Sequence, residues 1–335
     1  MMKSHLKCSR LKSLKSSLLK TGFITLVFVS NISFAAEEPV PTRAEAIKWL
    51  EMMDKALVEQ NYTGTFVFAR GSHFETIEIV HRFNDGEELE RLTSLNGEER
   101  EIIRSNGETV CYHIEGENLD LSHAMPMGPF SHSFREKLSV NQALYNISVH
   151  GSERIAGHNA MRIAISPLNA NRYGYRLWID SETGLLLKSN LVNDGRVLEF
   201  FQFSQVSIGD DIDESQLVAS LEGDTVRHTL SVFEQEIARQ NAVKHDWRVA
   251  WVPRGFKRVA ANNGSGMSFS DGIATLSVFV ESSPKSSLGN TQALIGGTVV
   301  ITRHVKGSSK QITVVGEVPL ETAKKVAESV EPIIY

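Results

Sequence analysis

From Tyr62 to Val206 apolar and polar residues alternate with a period of two. The alternating stretches are YTGTFVFARG (62–71), ETIEIVHRF (75–83), ELERLTSL (88–95), EREIIRS (99–105), TVCYHI (109–114), SVHGSERIAGHNAMRIAISP (148–167), YRLWIDSETGLLLKSNLV (175–192) and RVLEFFQFSQV (196–206). A two-residue period gives a strand one apolar face and one polar face. Turn residues separate the stretches, at Asn84-Asp85-Gly86, Asn106-Gly107 and Asn193-Asp194-Gly195. These gaps are too short for crossover helices, so neighbouring strands pair as hairpins. A meander of roughly nine to eleven strands follows, and a sheet that wide tends to curl.

One helix precedes the meander. Thr42 and Glu45 form a capping box, and Ala46, Leu50, Met53 and Leu57 recur at helical spacing up to about Asn61. Residues 116–137, with HAMPMGPFSH, read as a long loop, followed by a short helix over Lys137 to Tyr145. The acidic turn GDDIDES interrupts the strand pattern. Val226, Leu230, Phe233 and Ile237 then predict a linking helix within 216–243. A smaller α+β unit begins at 244 with WRVAWVPRGF, continues through SFSDGIATLSVFVES, a loop over 282–290, GGTVVITRHV and QITVVGEVP, and closes in a helix. That helix has Pro319 at its start and Leu320, Ala323, Ala327 and Val330 on one face.

Residues 1–35 read as an export signal. Six basic residues and no acid precede the apolar run from Phe23 to Phe34. That run is far shorter than the roughly 20 residues of a spanning helix, and Ser33 and Ala35 have the spacing a signal peptidase reads. Cleavage near Ala35 moves the net charge from -5 to -11 and leaves Cys111 as the single cysteine. An intramolecular disulfide is then excluded, and nucleic acid is a poor partner for so acidic a chain. The acid is uneven: residues 36–243 carry -15 and residues 244–335 carry +4.

Two groups of residues are candidates for binding. Phe66, Phe68, Ile77, Ile79, Leu177, Ile179, Phe201 and Phe203 occupy alternating strand positions, where they either line an apolar cavity for acyl chains or pack on the first helix. Arg254, Lys257, Arg258 and Arg303 in the basic unit suit an acidic partner segment or lipid phosphates. Catalysis has little support. Cys111 and His113 share a strand face without an orienting third group, no HExxH or CxxC spacing occurs, and the Gly-rich turns lack a P-loop lysine, so neither metal nor other cofactor is expected.

WRVAWVPRGF, SDGIATLSVFVE and above all ITVVGEVPLETAKKVAES (312–329) resemble the carboxy-terminal domain of the MucB/RseB family, and RIAGHNAMRIAI, YRLWIDSETGLLLKSNLV and LEFFQFSQV its amino-terminal domain. The resemblance implies an α+β protein of two domains, an unclosed antiparallel β-barrel similar to LolA and LolB over 36–215 and a smaller α+β domain over 244–335. It further implies a periplasmic negative regulator of the envelope stress factor sigma-E. Such a protein binds the periplasmic region of an RseA- or MucA-type anti-sigma factor and shields it from its first proteolytic cut. Lipopolysaccharide or mislocalised lipoprotein releases it, and homo-oligomer formation is left open. The competing expectation is a LolA-type lipoprotein carrier, for which the second domain has no use.

Overall fold

The computed structural model describes residues 43–105, 108–113, 143–221, 224–229, 246–259, 266–282 and 290–333. The chain divides into Met1–Val40, which carries the expected export signal and lies outside the described residues, and Pro41–Tyr335. Among the described residues no helix is long and apolar enough to cross a membrane.

Helix α1 (Arg43–Glu59) buries Ala46, Leu50, Met53, Ala56 and Leu57. After it the meander runs β1 (Tyr62–Arg70), β2 (His73–Asn84), β3 (Glu87–Ser94), β4 (Arg100–Ser105) and β5 (Glu108–His113). It resumes as β6 (Tyr145–Ile155), β7 (His158–Pro167), β8 (Gly174–Asp180), β9 (Leu186–Asn193) and β10 (Arg196–Ile208). Three of its hairpins turn on two residues with positive φ, Asp85-Gly86, Ala156-Gly157 and Asp194-Gly195. Those dihedrals match the right-handed twist of the flanking strands.

The strands do not pair in simple chain order. β1 lies between β2 and β10, so the sheet reads β11-β5-β4-β3-β2-β1-β10-β9-β8-β7-β6, all antiparallel, with β11 (Asp224–Thr229) at one edge and β6 at the other. This is an unclosed sheet of eleven strands. The 116–137 loop falls between β5 and β6 and lies outside the described residues. Helix α1 rests on β6, β2 and β9 and fills the concave side.

Three expectations change. The helix placed over Lys137 to Tyr145 does not reach Tyr145, which opens β6; its earlier residues lie outside the described set up to 142. Residues 224–229, expected in a linking helix, form β11 and pair with β5, while 230–245 lie outside the described residues. Val226 and its neighbours fit either period over so short a run, and the free edge of β5 offers backbone hydrogen bonds that decide it. Val330 leaves the last helix and pairs with Val249.

The chain between β10 and β11 crosses the outside of the sheet, where Arg91 donates to the Gln216 carbonyl at 3.1 Å and one carboxylate makes most of the polar contacts. Glu101 accepts hydrogen bonds from the backbone N–H of Ser220 (2.7 Å) and Leu221 (3.0 Å), from the Ser220 hydroxyl (2.6 Å) and from Arg91 (2.9 Å). Burial alone pushes this carboxyl up, but the Ser220 and Leu221 donors and the Arg91 charge bring it below its ordinary value. Ile212 and Leu217 seat beside it on Val80 and Leu89.

The second body is a six-stranded antiparallel sheet, β13-β14-β15-β18-β17-β16, built from β13 (Lys257–Val259), β14 (Gly266–Ser270), β15 (Thr275–Ser282), β16 (Thr291–Ile295), β17 (Thr298–His304) and β18 (Lys310–Gly316). Helix α2 (Leu320–Glu328) covers one face at β17 and β18, and its Ala323, Val326 and Ala327 share one buried cluster with Leu276, Val278, Val299, Ile312 and Val314. A two-stranded ribbon of β12 (Trp247–Val249) and β19 (Val330–Pro332) joins its ends.

Met53, 1 % exposed in the core under α1, gives a test of the helix as part of the sheet's core. Met53→Ala should lower the unfolding free energy by about 2–5 kcal/mol in urea titration. A loss below about 1 kcal/mol would mean that α1 is not packed as described.

Candidate functional site

All eight apolar candidates lie on the concave face. Phe66 stands opposite Phe203 and Ile77, Phe68 opposite Phe201, and Leu177 opposite Ile163. The rings of Phe66, Phe201 and Phe203 meet edge to face at 4.9–5.9 Å. Each of the eight is 7 % exposed or less and belongs to the same cluster as Leu50, Met53 and Leu57 of α1. In this structure the strand residues and the helix therefore pack on each other.

The basic candidates separate. Arg254, Lys257 and Arg258 are exposed together at the β13 edge, with Lys257 opposite Ser270 and Arg258 opposite Phe269, hence on alternate faces. Arg303 is half-buried on β17, four strands away, or roughly 19 Å at the usual strand spacing. The fold makes one local group of three and leaves Arg303 outside it. Cys111 is half-buried, and burial pushes its thiol up, away from thiolate chemistry. Among the described residues no cluster of three metal-ligating side chains occurs.

Sequence reasoning missed the seam where the second body meets one end of the eleven-stranded sheet. Its centre is a fully buried ion pair, Arg172 Nε to Asp271 Oδ2 at 2.5 Å. The Tyr145 hydroxyl donates to the same oxygen at 3.0 Å, while Asp271 Oδ1 accepts the N–H groups of Ile273 and Ala274, both at 2.9 Å. Arg172 also donates to Asn169 Oδ1 (3.0 Å) and to the Arg254 carbonyl, and its guanidinium lies 5.4 Å from the Phe256 ring centre. Burial, then the Asp271 charge, holds the Tyr145 phenol far above its usual range.

The second contact is the Gly296-Gly297 turn between β16 and β17. Gly297 N–H donates to Glu199 Oε1 at 2.9 Å, and Arg70 lies 3.3 Å from the same oxygen. A Cβ on Gly297 would overlap Leu191, and one on Gly296, whose φ is +58, would overlap Arg70 and Glu199. Only glycine lets this turn approach so closely. Beside it the Tyr173 hydroxyl donates to the Val318 carbonyl at 2.9 Å. Burial and the charges of Glu199 and Glu317 push the Tyr173 phenol up to about 12. An open groove of about 370 Å³ runs along the sheet side of the seam, lined by Asn169, Arg172, Arg176 and the Asp194-Gly195 turn.

Residues 45–221 match the MucB/RseB N-terminal domain and residues 241–331 the MucB/RseB C-terminal domain. The chain belongs to the MucB/RseB family. It is 34 % identical over 307 residues to the "Sigma factor AlgU regulatory protein MucB" of Pseudomonas aeruginosa, covering 88 % of this chain and 93 % of that one. It is 25 % identical over 320 residues to the "Sigma-E factor regulatory protein RseB" of Escherichia coli K12, covering 92 % and 97 %. Among solved structures, MucB in the Pseudomonas aeruginosa MucA/MucB complex superposes with a TM-score of 0.69 at 31 % identity, covering 87 % of this chain and all of that one. A second structure, of MucB in complex with MucA(peri), gives 0.67 with the same coverage. This member of the MucB/RseB family thus matches its relatives through both bodies.

Two outcomes test the seam. Arg172→Met strands a buried carboxylate and should cost about 3–5 kcal/mol in chemical denaturation, whereas Arg172→Met with Asp271→Leu should cost clearly less than the two single changes together. Burial raises the Glu199 carboxyl, with the Gly297 N–H and Arg70 opposing. A folded value above the unfolded one means that its favourable share is complete below the unfolded value and is lost as pH rises through the folded value. The stability gap between Glu199→Gln and the parent should therefore widen in the variant's favour as pH rises from about 4 to 7. A gap that does not change over that range would contradict the desolvated placement.

Proposed function

We propose that the chain is a negative regulator of a sigma-E/AlgU-type stress response and acts by binding the periplasmic region of a MucA- or RseA-type anti-sigma factor. One observation carries the reading: the likeness to MucB crystallised with MucA runs through both bodies and covers 87 % of this chain and the whole of the MucB chain. The export signal expected over 1–35 fits an extracytoplasmic site of action. Shielding of the anti-sigma factor from its first proteolytic cut, and release by lipopolysaccharide or mislocalised lipoprotein, belong to the same reading. So do the domain limits 36–215 and 244–335.

The carrier alternative has less behind it. A carrier needs room for a lipid, and here Leu50, Met53 and Leu57 of α1 belong to the same buried cluster as the eight strand residues that would line the cavity. Acyl chains that reach Phe66 or Phe201 would have to displace α1. Polar replacement of Phe66 and Phe68 in a chain that still folds tests their part in release.

The direct test is capture of the anti-sigma factor's periplasmic region by the processed chain, followed by digestion with the site-1 protease. Binding with protection is expected, reversed by lipopolysaccharide; no binding with or without it would leave the carrier reading ahead. Arg254→Glu with Lys257→Glu should slow association several-fold at low salt and little at high salt. An unchanged on-rate removes the β13 group from the interface.

A further inference from the structure

The two edges of the six-stranded sheet differ in a way that the fold does not require. At one edge β13 is three residues long and carries Lys257 and Arg258, the short length and charge by which proteins stop an edge from pairing. At the other edge β16, Thr-Gln-Ala-Leu-Ile, has no charge, no proline and no register shift against β17. All five of its residues are exposed, with Leu294 at 54 % and Ile295 at 49 %. Among the described residues no strand pairs with its outer side.

Register shows what is unfinished there. Leu276, Gly316, Val299 and Leu294 stand opposite one another across β15, β18, β17 and β16, in one row on the face that α2 covers. Leu276 and Val299 are fully buried, and the row ends in exposed Leu294. The apolar row thus runs to the lip of the sheet, where among the described residues no strand continues it. The edge is also continuous with the seam, because Ile295 leads directly into the Gly296-Gly297 turn that Glu199 and Arg70 hold against the larger sheet.

We propose that β16 is a strand-addition site that takes an extended, uncharged segment of the anti-sigma partner, pairing main chain to main chain with an apolar residue set beside Leu294. Main-chain pairing supplies affinity, and the Leu294 position supplies selection. A charged segment is disfavoured because its side chain would lie on the apolar row. The inference rests on the regulatory reading above and names the surface that reading leaves open.

Residue-resolved amide hydrogen exchange on the processed chain, alone and with the partner's periplasmic region, tests it. In the complex, amides within Gln292–Ile295 should exchange about tenfold slower or more, and Leu294→Lys, folded by circular dichroism, should weaken binding about tenfold. If Leu294→Lys does not fold, Gln292→Lys at the same edge takes its place with the same expectation. A complex that forms with unchanged exchange over β16 overturns the inference and leaves the regulatory reading intact. No complex at all overturns both. Slowing that appears without partner and grows with protein concentration assigns the edge to a second copy and overturns the proposal.

Discussion

The arrangement of the two bodies depends on one buried ion pair. Arg172 and Asp271, both without solvent contact, come from segments 99 residues apart and meet between the two sheets. A charge pair in such a place adds little net stability over an apolar pair of the same shape, but it tolerates very little displacement. The carboxylate accepts from Tyr145, Ile273 and Ala274 besides Arg172, and the guanidinium donates to Asn169 and the Arg254 carbonyl besides Asp271. The same arginine thereby fixes the segment leading into β13 and the turn that follows β14. Both sides of the β13–β14 pair are set by a residue of the other body.

Satisfying that pair also constrains the opposite side of the seam. The Gly296-Gly297 turn can sit against Leu191, Arg70 and Glu199 only without side chains, and it pays in desolvation of the Glu199 carboxyl. A buried carboxyl that accepts one N–H from the turn and has a cation at 3.3 Å is raised by desolvation, which makes this contact sensitive to pH. The larger sheet has a different logic. Its concave face is filled by α1, the segment that Glu101 clamps crosses the other face over β2, β3 and β4, and its edge strands are β6 and β11.

Much of this was legible in the sequence, for physical reasons that also explain the rest. Alternation and the Asp85-Gly86 and Asp194-Gly195 turns are local, so the hairpins could be read directly. The closing helix was marked by Pro319 and its spaced apolar residues. Strand β16 lies between the loop expected over 282–290 and GGTVVITRHV and was given no element, since its residues are all exposed and carry no buried-face alternation. Val226 matched a helical period by chance over a few residues, and the partner that makes it a strand, β5, is more than a hundred residues earlier. The basic residues were grouped by the positive balance of the smaller unit, which says nothing of strand order, and strand order puts Arg303 apart from the other three. Arg172 gave one faint signal, a cation between Asn171 and Tyr173 in the aromatic-rich stretch NRYGYRLW, with no indication of its partner.

Whether Arg172 and Asp271 hold the two bodies as one unit can be measured by pulsed electron resonance between spin labels at exposed Arg196, on β10, and exposed Glu321, on α2, in a Cys111→Ser background. A single narrow distance distribution is expected for the parent, and a broadened one when Arg172 is replaced by Met. A broad distribution in the parent, or one that Arg172→Met leaves unchanged, would contradict the ion pair's place at the centre of the structure.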